Sequence, residues 1–407
     1  MNLNADSIIE ISIQLSQQLM EAQQKNQSFA GIKNSDDQWV IVTKDEPPNE
    51  KENAAAKLLR SILQHHNPLI PATLSHEVLL THLALVAPSL PLDLIPVLLH
   101  AFSEKENSRI ETLEALLTQL ESALKRHQQR LSAEDPENRI KYDIGYDTHI
   151  GVHKALYMQT NQDSFYIAQE GDFFLLTVLD GISTSDAGSG DMASAIARNV
   201  IHQIWEQNKL NLEDDADEQS LAGLLFTMLR EANFHICKYA KELADGSLEN
   251  RTPMGTTAVI AIIKGSEGII GSLGDSRAYL MTEEGLSILT GDHNLRGEKL
   301  RQGMPLFHED EGYALIRYLG HFDINREEAE FINPDFRRFK ILPNELLLLC
   351  SDGLTDYATQ SHAEFEGLLK EAQHKKSANH GCWFLTQKAN QGGGGDNITM
   401  ILAHRSH

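Results

Sequence analysis

The chain has 407 residues and a formal net charge of −23, from 35 lysine and arginine residues against 58 aspartate and glutamate residues. Such acidity repels phosphate backbones and anionic membranes, which argues against general nucleic-acid or membrane-surface binding. The 41% hydrophobic and 23% charged residues are typical of a globular protein, and at ~150 residues per domain the length suggests about two or three domains. Three widely spaced cysteines exclude a disulfide framework and a CxxC zinc site.

The chain shows no signal-peptide pattern and no run of about 18 apolar residues. Its cysteine usage suits a reducing compartment. We therefore predict a cytoplasmic protein without a membrane-spanning helix, while export through a signal elsewhere in the chain stays open.

Before residue 140 the sequence pattern predicts helices and little else. The stretch Ser7–Met20 is moderately amphipathic, and Ala54–Gln64 has a helical composition. The polar, proline-containing stretch 28–53 predicts a linker or loop. Residues 1–140 are therefore predicted to form an all-α N-terminal domain that serves regulation, targeting or interaction.

The clearest helix of this region covers about Ser108–Leu131, where apolar residues recur at alternating spacings of three and four. The seam consists of Ile110, Leu113, Leu117, Leu120, Leu124 and Leu131, with His127 in the one missing slot. An intramolecular helical bundle would bury this seam, and so would a coiled coil with a second copy or a partner. Both interpretations stay open, so the sequence predicts either internal packing or self-association and partner docking.

After residue 140, short runs rich in Ile, Val, Leu and Phe predict strands that are buried on both faces. They are Asp172–Asp180, Ala258–Ile263, Gly268–Leu273, Arg277–Met281, Leu286–Leu289, Leu346–Cys350 and Ile398–Ala403. Long helical patterns lie between them, at about Gly190–Gln207, Ser220–Leu243 and Ala363–Asn379. Because two helices follow one strand without an intervening strand, sheets covered by helix pairs fit better than a doubly wound sheet.

Aspartates stand at the ends of several of these strands. Asp180 and Asp352 each close an apolar run, Asp275 closes another, and Asp396 precedes the last strand. A single Asp-Gly is commonly only a turn, but four such carboxylates brought together would repel one another unless a cation neutralised them. An all-oxygen site selects Mg²⁺ or Mn²⁺ rather than zinc, and the carbonyl of Gly181 could add a ligand. The pattern predicts a metal-dependent hydrolase.

Short motifs follow one another across residues 141–405. They are Asn161-Gln162-Asp163-Ser164, Asp180-Gly181, Gly255-Thr256-Thr257-Ala258, Gly274-Asp275-Ser276-Arg277, Leu289-Thr290-Gly291-Asp292-His293, Leu319-Gly320, Leu349-Cys350-Ser351-Asp352-Gly353-Leu354-Thr355-Asp356 and Asp396-Asn397-Ile398-Thr399. In order and approximate spacing, these motifs resemble those of the metal-dependent protein phosphatase family of type 2C, the PPM family, and its bacterial members most. The resemblance implies an α+β fold, a four-layer α-β-β-α sandwich, as a catalytic domain at 141–407. A variable flap is implied at about 295–318.

The resemblance also implies roles for individual residues. Asp180 resembles the aspartate that bridges two metal ions, and Asp352 a further ligand at the catalytic centre. The other implied metal positions are Gly181 through its carbonyl, Asp396, Asp275 for a more weakly bound third ion, and Asp163 in support of the second ion. The implied ions are Mn²⁺ or Mg²⁺, two or three in number. The implied reaction is attack by a metal-bridging hydroxide on a phosphoserine or phosphothreonine of a phosphoprotein.

Two departures from the family pattern bear on the substrate site. Met158 stands where many members carry an arginine that clamps the substrate phosphate, and His153 or Lys154 is predicted to supply the missing donor. Gln162 replaces the usual glutamate. The favoured function is therefore a metal-dependent serine/threonine phosphoprotein phosphatase. A pseudophosphatase that acts as a binding or scaffold protein, and a phosphatase of a non-protein phosphoester, are the alternatives.

Overall fold

A computed structural model of the chain describes residues 5–25, 27–35, 38–44, 53–66, 90–103, 109–133, 140–158, 160–212, 218–246, 248, 251–302, 312–323 and 328–406. Within these ranges no helix has the length and apolar character that crossing a membrane requires. The central part of the predicted flap, residues 303–311, lies outside the described residues.

The N-terminal region is helical, as predicted, and also contains a β-hairpin. Its elements are α1 (Ala5–Gln24), β1 (Ser28–Ser35), β2 (Gln38–Lys44), α2 (Ala54–His66), α3 (Ile95–Ala101) and α4 (Leu113–Ser132). Because β1 pairs antiparallel with β2, the loop predicted for 28–53 is wrong over these strands. The amide of Gln18 on α1 donates to the carbonyl of Trp39 (3.2 Å) and accepts from the backbone N–H of Ile41 (3.0 Å). This contact with α1 stabilises a hairpin that the polar sequence does not reveal.

Helix α4 is the one predicted from the heptad pattern. The Thr112 hydroxyl accepts from the backbone N–H of Ala115 (3.1 Å), and this cap sets the start of the helix. Its buried face consists of Leu113, Leu116, Leu120, Ala123, His127 and Arg130. The helix packs against α1, α2 and α3, which agrees with the intramolecular interpretation, and Leu131 of the predicted seam is exposed. Self-association of this region stays a prediction.

The chain divides into two compact units. The first takes in Met1–Ala133, Thr282–Ile288 and Gly297–Phe307, and the second takes in Glu134–Met281, Leu289–Arg296 and His308–His407. Within the first unit, the hydroxyl of Ser287 donates to the carbonyl of Leu92 (2.7 Å). The domain boundary placed at residue 140 stays a prediction.

The C-terminal region is built from short strands and long helices. The strands are β3 (Tyr142–His149), β4 (Ser164–Glu170), β5 (Phe173–Leu179), β6 (Ala258–Lys264), β7 (Glu267–Leu273), β8 (Arg277–Met281), β9 (Leu286–Ile288), β10 (Phe322–Asp323), β11 (Glu328–Ala329), β12 (Asp335–Lys340), β13 (Leu346–Cys350) and β14 (Ile398–Arg405). The helices are α5 (Gly190–Asn208), α6 (Glu218–Leu243), α7 (Leu295–Arg301), α8 (Asp352–Ala358), α9 (His362–Gln373) and α10 (Ala378–Gln391). The single helix predicted at about Ala363–Asn379 is wrong, because Ser377 caps a new helix.

Two antiparallel sheets form the centre of the second unit. One has the order β12-β7-β6-β5-β4, and the other contains β3, β14, β13 and β8 in that order. Strand β5 contacts β13 and β14, so the sheets pack face to face. Helices α5 and α6 cover the first sheet, and α9 and α10 cover the second. This is the predicted four-layer α-β-β-α sandwich.

The sequence of β5 explains why it lies at the centre of the sandwich. All seven residues of this strand, FFLLTVL, are buried. Successive side chains of a strand point to opposite faces. Phe173, Leu175 and Leu179 join the core that includes α5 and α6. Phe174, Leu176 and Val178 therefore point to the opposite face, towards the other sheet. Each buried apolar side chain contributes roughly 1.5–3 kcal/mol, so the strand end that carries Asp180 is held firmly.

Close packing at Gly145 of β3 supports a stability prediction. A Cβ atom at this position would lie 2.2 Å from backbone atoms of Ala378 and Asn379 at the start of α10. We expect Gly145→Ala to lower the free energy of unfolding in urea by at least about 1–3 kcal/mol, because helix and sheet would have to separate. Gly223→Ala is the control, since its Cβ would meet nothing within 4 Å on α6, and it should raise stability by about 0.5–1 kcal/mol. Equal effects of the two substitutions would contradict this account.

Candidate metal centre

Antiparallel pairing brings the predicted aspartates to one end of each sheet. Strand β4 begins where β5 ends, which makes Asp163 and Asp180 neighbours. Strand β7 runs parallel to β5, because both pair antiparallel with β6, and it therefore carries Asp275 to the same end. In the other sheet β14 begins where β13 ends, which places Asp352 and Asp396 together.

A pocket of about 390 Å³ joins these strand ends. The predicted metal positions that line it are Asp180, Gly181, Asp275, Asp352 and Asp396. The rest of its wall consists of Ile182, Ser183, Thr184, Thr252, Pro253, Thr257, Tyr313, Ala314, Leu315 and Tyr318. Asp163 does not line the pocket but lies close enough to Asp180 to affect its ionisation. The structure thus brings together the six positions that the sequence singled out.

Burial and mutual repulsion act on the two central carboxyl groups. Burial raises the pKa of Asp180 well above 3.8, and the charges of Asp163 and Asp352 raise it further. Burial likewise raises the pKa of Asp352 well above 3.8, and Asp275 is the largest charged contributor to that rise. Both groups therefore resist ionisation unless a positive charge offsets the repulsion.

The pKa values of the two outer carboxyl groups, those of Asp275 and Asp163, are also raised. Burial, followed by the charge of Asp292, raises the pKa of Asp275 to about 7. Burial is also the main cause that raises the pKa of Asp163 to about 6, against hydrogen bonds from Thr399 and Ser351 that lower it. Perturbed carboxyl groups that gather in a cleft indicate a functional site.

Two carboxylate oxygens support a cation at this place. Oδ1 of Asp163 and Oδ1 of Asp352 are buried without a hydrogen-bond partner. Buried oxygens of this kind normally accept a hydrogen bond or bind an ion, and an all-oxygen set suits Mg²⁺ or Mn²⁺. In the described part of the chain no group of three or more acidic, histidine or cysteine side chains is spaced as a preformed metal site. The carboxylates would therefore have to close around an ion.

Hydroxyl side chains just outside the ends of neighbouring strands fix the aspartates. The Thr257 hydroxyl accepts from the backbone N–H of Asp180 (3.0 Å), and the Thr256 hydroxyl donates to the carbonyl of Asp180 (2.8 Å). The Ser351 hydroxyl donates to Oδ2 of Asp163 (2.9 Å). Sequence reasoning quoted these residues only as parts of motifs and gave them no role. For Ser351 the available signal was its place beside Asp352, and for Thr256 and Thr257 it was their position directly before the apolar run of β6.

Comparison with known proteins agrees with this geometry. The profile of the family described as Protein phosphatase 2C matches residues 151–381. The chain belongs to the protein phosphatase 2C family. Serine/threonine phosphatase stp of Listeria welshimeri serovar 6b is 33% identical over 237 residues, which cover 57% of this chain and 84% of that relative.

Solved structures of phosphatases share the fold of this protein phosphatase 2C chain. Serine/threonine phosphatase Stp1 from Staphylococcus aureus has a TM-score of 0.53 at 25% identity, covering 67% of this chain and 98% of that chain. The catalytic domain of the serine/threonine protein phosphatase PstP, in complex with 2 manganese ions, has a TM-score of 0.51 at 22% identity and covers 66% of this chain and 100% of that chain. The fold and the family predicted from the motifs are confirmed.

Gln162 has a structural task in this phosphatase 2C domain. Its side-chain oxygen accepts from the Ser183 hydroxyl (2.6 Å), and its backbone N–H donates to the side-chain oxygen of Asn397 (2.9 Å). The residue therefore links the turn after Asp180 to the segment that precedes β14. The neutral amide serves here as a hydrogen-bond acceptor.

The two candidate phosphate donors occupy different environments. The Lys154 side chain is 6% exposed, and its Nζ donates to Oδ1 of Asp396. His153 is exposed, and its ring contacts that of Tyr157 with a centroid separation of 5.8 Å. The backbone N–H of Met158 donates to the carbonyl of Lys154 (2.9 Å), so the two residues lie one helical turn apart. Of the two predicted donors, Lys154 is the one that reaches the aspartate cluster.

Proposed function

We propose that this chain is a Mn²⁺- or Mg²⁺-dependent phosphatase that hydrolyses phosphoserine and phosphothreonine monoesters in phosphoproteins. The observation that carries the proposal is the half-buried cluster of carboxylates, in which one buried oxygen of Asp163 and one of Asp352 have no hydrogen-bond partner. The relative in Listeria named as a serine/threonine phosphatase, and the structure of PstP with 2 manganese ions, support the substrate class and the ions.

Different residues of the pocket would bind different ions, two or three in number. The proposed ligands are Asp180, the carbonyl of Gly181, Asp352 and Asp396 for the principal pair, with Asp275 for a third ion and Asp163 in support. When bound, the ions supply a water of lowered pKa and neutralise charge on the phosphoryl oxygens. The chain itself keeps the ligands in place through Thr257 and Ser351 and orients the phosphoester in the pocket.

Two further parts of the proposal concern the surroundings of the reaction. The free, buried cysteines Cys237, Cys350 and Cys382 suit a reducing compartment, and we place the reaction in the cytoplasm. For residues 1–140 we propose a regulatory, targeting or interaction role. The exposed Leu131 on α4 leaves an apolar side chain available for self-association or partner docking.

Addition of metal is the direct test. We expect Mn²⁺ at about 100 times its Kd to raise the free energy of unfolding by about 2.7 kcal/mol. The same addition should start hydrolysis of p-nitrophenyl phosphate and of a phosphothreonine peptide, and EDTA should reverse both effects. The measurements are thermal unfolding and initial rates on the full chain, with Mg²⁺ and Mn²⁺ compared.

Three results would contradict the proposal in different ways. Turnover that does not depend on metal would exclude the proposed chemistry. Metal binding without turnover on any phosphoester would favour the pseudophosphatase. A strong preference for nucleotides or sugar phosphates over phosphopeptides would favour the non-protein phosphoester.

A further inference from the structure

One buried cation lies on an otherwise exposed turn beside the pocket. Lys154 begins the 3₁₀ turn Lys154–Leu156. The neighbouring residues His153, Leu156 and Tyr157 are exposed, whereas Lys154 is buried. Lysine is rarely buried unless it is paired with an opposite charge. The burial of Lys154 is therefore explained by its bond to Asp396.

The backbone is shaped to bring this lysine to the aspartate. The carbonyl of Gly394 accepts hydrogen bonds from the backbone N–H groups of His153 (2.9 Å) and Lys154 (3.1 Å). Gly151 has a φ of +87°, and a Cβ there would lie 2.2 Å from the carbonyl oxygen of Asp396. The glycines on both sides thus permit a backbone approach that other residues would block. The contact between Lys154 and Asp396 is built into the loop.

The hydrogen bonds at Asp396 would allow a metal ion to take the place of Lys154. Oδ1 of Asp396 accepts both from Lys154 Nζ and from the backbone N–H of Asn397 (2.7 Å), which occupies its two acceptor sites. A divalent ion that binds through this oxygen would displace the ammonium. The displaced ammonium would stay tethered beside the pocket that Asp396 lines, where a metal ion repels it and a phosphate attracts it.

We propose that the Lys154 ammonium exchanges partners during the reaction cycle: it binds Asp396 in the metal-free protein and the substrate phosphate once metal is bound. Lys154 would then supply the phosphate contact that Met158 cannot make. The substrate half of this inference rests on the proposed phosphatase activity. The metal half rests only on the proposed binding of an ion by Asp396, which a metal titration tests without turnover.

The test combines a binding measurement with kinetics on the full chain. Calorimetric titration of Lys154→Met with Mn²⁺ alone should give a Kd about 10-fold lower than that of the wild type, because one charged hydrogen bond no longer competes. The KM for p-nitrophenyl phosphate should rise about 10-fold or more, because the phosphate loses a charged donor. Lys154→Arg should restore most of the KM. Lys340→Met is the matched control, since it removes a lysine that pairs with Glu267 (3.4 Å) outside the pocket, and it should change neither value.

The other possible outcomes would overturn the exchange or assign the phosphate contact to another residue. Unchanged Mn²⁺ affinity, or weaker binding, in Lys154→Met would overturn the exchange, and so would tighter Mn²⁺ binding with an unchanged KM. A KM increase in His153→Ala that Lys154→Met lacks would move the phosphate contact to His153. Lys154→Gln replaces the methionine variant if that variant fails to fold.

Failure of the proposed function can be told apart from failure of this inference. If the wild type hydrolyses no phosphoester, the proposed function fails, but two titrations still decide the role of Lys154. They are the Mn²⁺ titration above and a calorimetric titration of the Mg²⁺-loaded protein with inorganic phosphate, which Lys154→Met should weaken about 10-fold.

Discussion

Asp352→Asn is expected to lower kcat/KM for p-nitrophenyl phosphate by at least about a thousand-fold, comparable with the loss of other charge-neutralising groups in phosphoryl transfer. The same substitution should raise the free energy of unfolding of the metal-free protein. Burial, and repulsion from Asp275, raise the pKa of Asp352 well above 3.8, so the folded state holds a proton that the unfolded chain releases. Asparagine does not ionise, so it removes the free-energy cost of keeping residue 352 protonated in the folded state. Initial rates with Mn²⁺ and urea unfolding in EDTA measure the two effects.

The pH dependence of stability gives this prediction a second check. A carboxyl group with a raised pKa in the folded state makes metal-free stability fall as pH rises above 3.8, until the folded-state pKa is passed. The fall should be shallower in Asp352→Asn. Asp172→Asn, at the exposed turn between β4 and β5, is the control and should change neither rate nor slope. An active Asp352→Asn enzyme would remove Asp352 from the proposed metal centre.

Asp93→Asn is expected to lower the free energy of unfolding of the first unit by about 3–5 kcal/mol. Asp93 is fully buried, and Arg130 donates to both of its oxygens, from Nη2 (2.6 Å) and Nε (3.0 Å). Although burial opposes ionisation, the nearby His127 (Nδ1 lies 3.6 Å from Oδ2) and the hydrogen bonds from Arg130 hold the pKa of Asp93 below 3.8. The substitution leaves a buried guanidinium without this carboxylate. Urea unfolding of the full chain measures the loss.

The sign of the pH effect is opposite to that at Asp352. Because the folded-state pKa of Asp93 is lowered, its stabilisation is present above 3.8 and is lost as pH falls through the lower folded value. Asp93→Leu combined with Arg130→Met should recover most of the stability, since well-packed apolar residues can replace a buried ion pair. Arg230→Ala breaks a pair with Glu231 (2.8 Å) on the surface and should cost less than about 0.5 kcal/mol. An Asp93→Asn protein as stable as the wild type would contradict the role given to this pair.

The central strands of the sandwich could be predicted from the sequence, whereas the edge strands β3 and β12 could not. All residues of β5 and β13 are buried, and they therefore read as unbroken apolar runs. Strands β3 and β12 lie at the edges of their sheets and carry polar residues at half-exposed positions, so their sequences YDIGYDTH and DFRRFK show no such run. The hairpin Ser28–Lys44 could not be predicted for a related reason, because the helices that stabilise it lie elsewhere in the chain.

The sequence by itself determined which carboxylates gather at the pocket, because an apolar run that ends in aspartate places that side chain where the buried strand meets solvent. Only the tertiary structure decided which other side chains contact those carboxylates. His153 and Lys154 are adjacent and equally plausible as donors in the sequence, yet the turn held by Gly394 leaves the histidine exposed and directs the lysine to Asp396. The reason is geometric: a contact between residues 242 positions apart depends on the path of the backbone, which no local pattern contains.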